Sequence, residues 1–143
     1  TLKDIRTLDA KFSDAFRKIV QNNRELHRQH IDQLASQVVR QIEQSYADSD
    51  LSPTRIADSL GMSSAYLGRI FRESTQTSIS QYLNQTRIRR AEELLRETEQ
   101  PVETVAGLVG FSNPKYFYVV FKNITGQTPL QFRKAVHSAS EKN

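Results

Sequence analysis

The sequence contains no cysteine and no tryptophan, and in 143 residues it has one methionine, four prolines and five glycines. Without cysteine there are no disulfides and no thiolate metal sites, and nothing points to an oxidising compartment. A cytoplasmic setting is expected, unless the full-length protein is anchored in a membrane through a region preceding this chain. No run of eighteen apolar residues exists, and the N-terminus lacks the charged-then-apolar layout of a signal peptide, so neither a spanning helix nor export is expected. Since the first residue is Thr1, a processed or excised piece of a longer protein is expected. A Gly-rich phosphate loop, paired carboxylates at catalytic spacing and a nucleophile-and-base pattern are all missing, so no enzymatic activity and no cofactor are expected. His27 and His30 stand three apart, but with no cysteine and no carboxylate on the same face they read as surface residues, and no metal is expected.

What is present is positive charge and helical periodicity. Twenty Lys and Arg against sixteen Asp and Glu give a net charge of +4, which permits an anionic partner without demanding one. A hydrophobic fraction of 37% suits two small cores better than one large core.

The stretch Thr77 to Glu99 reads as one uninterrupted helix. Ser78 and Gln81 have capping-box spacing, and Pro101 marks the far limit. About twenty residues span about 30 Å at 1.5 Å per residue. Its apolar positions form two faces: Ile79, Tyr82 and Leu83 on one, and Ile88, Ala91, Leu94 and Leu95 on another rotated by a quarter turn or more. Two different cores explain that arrangement, so the helix, placed at 78–98, is expected to link two units.

A repeat flanks it. Ile56-Ala57-Asp58-Ser59-Leu60-Gly61-Met62-Ser63 is matched by Val105-Ala106-Gly107-Leu108-Val109-Gly110-Phe111-Ser112. Phe71-Arg72 then aligns with Phe121-Lys122, and Gln81-Tyr82 with Gln131-Phe132. Two copies of one supersecondary unit follow. Each copy is a short helix, a turn at Gly61 or Gly110 where positive φ is commonly needed, and a second helix after Ser63 or after Ser112 or Asn113. This is helix-turn-helix organisation, at about 53–74 and about 101–124, with a last helix at 129–137 and a flexible tail at 138–143.

In that motif the second helix enters the major groove with its apolar side turned to the core. Core spacing assigns Leu67, Ile70, Phe71, Phe117, Val120 and Phe121 inward. Ser64, Ala65, Gly68 and Arg69 are then outward in the first copy, and Asn113, Lys115, Tyr118 and Val119 in the second, as the base-reading candidates. Arg69 is the sharpest, because a guanidinium can bond guanine O6 and N7 together. Arg72, Arg87, Lys122, Arg133 and Lys134 lie where phosphates would pass, as do the helix starts at Ser52, Ser63 and Ser112. The acidic cluster Glu92, Glu93, Glu97, Glu99 and Glu103 reads as a solvated face directed away from nucleic acid.

Residues 1–30 form a separate helical connector in this reading. Ile5, Leu8, Phe12, Ala15, Ile19, Asn22 and Leu26 recur at three-and-four spacing, a heptad-like seam with one polar position. It serves either an amphipathic helix packed on another part of the protein or a parallel homodimer coil. After Leu26 the register slips, and Ile31, Leu34, Val38, Val39 and Ile42 form a stripe assigned to the globular part.

With these motifs in place, residues from about Gln33 to His137 resemble the DNA-binding domain of the AraC/XylS family of bacterial transcription regulators. The resemblance is carried by GFSNPKYFYVVFKNITGQTPLQFRK, Gly110 to Lys134, and by Arg87-Ile88 with Ala91, Leu94 and Leu95. It implies an all-α, homeodomain-like fold of seven helices, two helix-turn-helix units joined by a long linker helix, here at 31–137 with the N-terminal helix added. It implies reading helices at Ser64 to Ser74 and Asn113 to Ile124, with Arg69 at a frequent base-contacting position. Double-stranded DNA is the implied partner, RNA polymerase a further one, and a sensor or receiver region is implied upstream. No small-molecule site is expected in this chain. Two positions depart from the pattern: Gln76 stands where the second copy has Gly126, and Val119 stands where the family often has Arg or another polar residue.

Overall fold

The computed structural model describes residues 2–141, with side chains from Asp4 onward. Among the described residues there are seven helices and no strands: α1 Leu2–Ser45, α2 Pro53–Ser59, α3 Ser64–Thr75, α4 Ile79–Glu97, α5 Val102–Leu108, α6 Pro114–Thr125 and α7 Pro129–Glu141. None of them is long and apolar enough to cross a membrane. The all-helical class and the two helix-turn-helix units hanging from α4 are as expected.

The two-faced periodicity of α4 becomes two cores. Ile79 and Leu83 pack with Ala35, Val38, Ile42, Ile56, Ala57, Leu67 and Phe71 of α1, α2 and α3. One turn further on, Ile88, Ala91 and Leu95 pack with Val102, Val105, Ala106, Phe117 and Phe121 of α5 and α6. The same helix serves both because its apolar residues rotate from one side to the other along its length.

The repeat is carried down to single hydrogen bonds. Ser78 Oγ accepts from the Gln81 amide at 3.1 Å, while the Gln81 side chain accepts from the Ser78 amide at 3.1 Å. In the second unit Thr128 and Gln131 do the same, at 3.2 and 2.9 Å. Just before each box, the hydroxyls of Thr75 and Thr125 donate to the carbonyls of Phe71 and Phe121, both at 2.8 Å. These caps satisfy amides and carbonyls that helix ends leave open.

Two boundaries differ from the sequence reading. The connector expected at 1–30 and the first helix of the globular part are one helix, α1, so seven helices stand where seven plus one were expected. No glycine or proline interrupts this stretch, and a slip in apolar register rotates the buried face without breaking the backbone ladder. The tail expected at 138–143 is helical as far as Glu141; residues 142 and 143 lie outside the described residues.

Candidate nucleic-acid interface

Each turn between paired helices depends on a positive-φ glycine, Gly61 at 68° and Gly110 at 102°. Left-handed backbone of this kind is strained for residues that carry a Cβ. The glycines aim α3 and α6 back across α2 and α5. Ser63 caps α3 by accepting from the Tyr66 amide at 3.2 Å. In the second unit the cap is Asn113 rather than Ser112. Asn113 Oδ1 accepts from the Lys115 amide at 3.0 Å and from the Tyr116 amide at 3.4 Å, and Pro114 takes the first helical position. Asn113 thus has its acceptor engaged by its own helix, which leaves Nδ2 as its outward donor.

The four outward positions of α3 share one face, as the spacing predicts. Ser64, Ala65, Gly68 and Arg69 line one open concavity of 570 Å³ with Arg72, Glu73 and the cap residue Ser78. Beneath it, Leu67, Ile70 and Phe71 are buried. The Arg69 guanidinium rests 5.5 Å above the Tyr66 ring, so an exposed aromatic that the spacing argument passed over steers the main candidate reader.

The second face differs from its prediction at one position. Tyr118 is partly buried against the unit's own core, its ring edge-on to Phe117 at 6.2 Å, so it is less outward than the spacing predicts. The outward aromatic is Tyr116, half exposed, whose hydroxyl accepts from Asn84 Nδ2 at 3.2 Å. Tyr116, Val119 and Asn123 share a 360 Å³ groove with Gln81, Asn84 and Gln85 of α4. Asn123 was missed because its place beside α4 is set by how α6 crosses that helix. Tyr116 had a signal in the sequence, as the counterpart of the exposed Tyr66.

Two of the predicted phosphate contacts are structural. Arg87 is buried, at 7% exposure. Its Nε donates to the Tyr46 carbonyl at 2.8 Å and its Nη2 to the Asp48 carbonyl at 2.9 Å, and its guanidinium lies 5.6 Å over the Phe111 ring. Burial lowers its pKa, against the opposing pull of Asp48 and Tyr116. Arg133 donates Nε to the Leu95 carbonyl at 3.1 Å and Nη2 to the Thr98 carbonyl at 3.3 Å, closing the C-terminal end of α4. Both arginines meet carbonyls at or just beyond the C-terminal ends of helices, where acceptors are left over. Arg72, Lys122 and Lys134 are exposed. Ser52 caps α2 by accepting from the Arg55 amide at 3.1 Å, and Ser112 is exposed one residue before the α6 cap.

Two similar helix-turn-helix units on one rigid linker define a double helix-turn-helix protein. The sequence pattern of the helix-turn-helix domain matches residues 56–135. The chain belongs to the AraC/XylS family of helix-turn-helix transcription regulators. It is 37% identical over 100 residues to the Msm operon regulatory protein of Streptococcus mutans, covering 70% of this chain and 36% of that protein. The C-terminal domain of AraT, a response regulator from Geobacillus stearothermophilus, is similar in structure at TM-score 0.69 and 30% identity, over 71% of this chain and 84% of that one. The DNA-binding domain of AdpA, solved in complex with a target DNA, matches at TM-score 0.69 and 26% identity, over 77% of this chain and 97% of that one. The chain spans about a third of the length of the curated relatives it matches.

Proposed function

We propose that the chain reads double-stranded DNA in a sequence-specific way, α3 and α6 entering successive major grooves, as the DNA-binding part of a transcription regulator. The observation that carries this is the gathering of Ser64, Ala65, Gly68, Arg69 and Arg72 in one open face on α3, with α6 carried on the same 19-residue α4. At 1.5 Å per residue α4 is about 28 Å long, the order of the roughly 34 Å between groove faces on one side of B-DNA. Arg69 reads a base edge in the first groove. In the second, Lys115 and the Asn113 amide donate, while Val119 offers apolar contact to thymine methyls. Arg72, Lys122, Lys134 and the starts of α3 and α6 hold phosphates.

The exposed seam on α1 supports self-association of two chains. The family and the one-third coverage of relatives support a sensor or receiver region elsewhere in the full protein, RNA polymerase as a further partner, a cytoplasmic place of action and a binding rather than enzymatic role. Selection of bound sequences from a random duplex pool tests the central reading. A defined motif should emerge, with affinity that falls as salt rises. Absence of salt-sensitive binding would leave a protein-interaction module as the function of the same surfaces.

A further inference from the structure

The first half of α1 presents large apolar side chains to water. Ile5, Leu8, Phe12, Phe16, Ile19 and Leu26 are each more than half exposed, Phe12 reaching 74%. The second half of the same helix buries Ile31, Leu34, Ala35, Val38 and Ile42 against the first unit. At roughly 100° per residue, the exposed seam and the docked stripe point about 100° apart. The seam therefore lies to one side of the stripe that docks on the module and is left uncovered by it. An unpartnered helix with such a stripe has little stability in water.

We propose that this seam pairs with the seam of a second copy as a parallel, in-register two-stranded coil, and that the unbroken helix makes the two modules bind an inverted pair of DNA sites. The inference rests on the DNA-reading function proposed above. Asn22 selects the occupant. It occupies a seam position between Ile19 and Leu26, and only a parallel pairing in register sets it opposite its own copy, where one amide can donate to the other. The antiparallel registers that keep the seam together place Asn22 against Phe12 or Ile5, where the amide is buried without a partner. The positions that continue the heptad, Gln29, Gln33 and Ser36, are polar and exposed, so the coil ends where the module begins.

A parallel pair has a two-fold axis along the coil. Nothing between the seam and the module relaxes that symmetry. α1 contains no glycine or proline, and it is tied to the module by Ser74 Oγ donating to Asp32 Oδ1 at 2.8 Å and by Gln41 Nε2 donating to Ser59 Oγ at 2.8 Å. The modules inherit the two-fold, so a duplex held by both must present its sites head to head. A direct repeat would need one module turned about its own coil helix.

The test uses all 143 residues, with a site first selected as a single copy. Sedimentation at tens of micromolar should show a dimer. Across a series of spacings, inverted pairs should bind at least about tenfold tighter than direct pairs, the gain that linked sites provide. Phe12→Glu with Ile19→Glu should give a monomer that keeps single-site affinity and loses the inverted preference. Both residues are exposed, and an unchanged melting temperature would show that the module is intact. Inserting Gly-Ser-Gly-Ser after Gln29 should keep the dimer and bring inverted and direct pairs within about twofold. A monomeric intact chain, or a dimer that binds direct and inverted pairs equally, overturns the proposal. Failure of the intact chain to bind any single site overturns the DNA-reading function and the inverted-site half with it, while sedimentation still decides the pairing.

Discussion

Arg87, midway along α4, donates its Nε to the backbone carbonyl of Tyr46 across 2.8 Å, although the two residues are 41 positions apart in the chain. With the second bond, to the Asp48 carbonyl at 2.9 Å, it joins the linker helix to the loop after α1. Its stacking over Phe111 at 5.6 Å brings in the turn of the second unit. One side chain thus ties both units to the linker. Arg87→Ala removes the donor for two inward-facing carbonyls and leaves a void, so chemical denaturation should show a loss of about 2 to 4 kcal/mol. An unchanged midpoint would refute the structural role.

Gly110 lies on the same junction. A Cβ there would meet the Tyr46 carbonyl oxygen and come within 2.8 Å of Arg87 Nε, on a backbone with φ of 102°. Gly110→Ala combines left-handed strain with collision against backbone and a buried guanidinium, and should cost about 2 to 4 kcal/mol. Gly61→Ala, at φ 68° with nothing within 4 Å of the added carbon, should cost about 1 to 2 kcal/mol from strain alone. Equal losses at the two glycines would contradict the steric part of the argument.

Gln76 ends α3 in the left-handed conformation, φ 59°, where Gly126 ends α6 at φ 80°. It is the only positive-φ residue other than glycine among the described residues. Gln76→Gly should stabilise the protein by about 0.5 to 1 kcal/mol, read as a rise in melting temperature, because glycine adopts this region without a Cβ penalty. A fall would mean that the hydrogen bond from the Gln76 side chain to the Glu73 carbonyl, 3.1 Å long, outweighs the strain.

Arg69→Ala should weaken the selected site more than random duplex at fixed salt, by about 1 to 3 kcal/mol of discrimination. Lys122→Ala should weaken both alike and reduce the salt slope by about 1. Both side chains are exposed, so melting temperatures should hold. Equal loss on both duplexes for Arg69→Ala would remove it as a base reader.

α4 packs against both units, and on the proposed function it holds α3 and α6 at the spacing of two grooves. Gly-Gly inserted after Gln85 would break the helix between its two apolar faces, loosening the spacing and mutual orientation of the units. Affinity for a full two-groove site should fall by at least about tenfold, with a smaller effect on a half-site. Equal affinities for the full site before and after insertion would refute the role of α4 as a ruler.

Much of this architecture was legible in the sequence because it is local. The capping boxes, the glycine turns, the two rotated faces of α4 and the inward stripes of α3 and α6 follow from spacing and from the conformational limits of single residues. The repeat doubled each signal. The outward face Ser64, Ala65, Gly68 and Arg69 followed as what the buried stripe left over.

Tertiary structure decided where long side chains go. Arg87, Arg133 and Lys122 look alike in sequence as cations near the second helices of the two units, yet two of them reach back to carbonyls 35 to 41 residues away and only Lys122 stays outward. Tyr116 and Tyr118 differ by two positions, and the packing of α6 leaves Tyr116 the more exposed while Tyr118 leans on its own unit's core. The separation of the α1 seam from its docked stripe became visible only because one continuous helix holds both. Local periodicity fixes which face of a helix is apolar, whereas the neighbour that covers it, and the carbonyl that an arginine finds, depend on contacts distant in the chain.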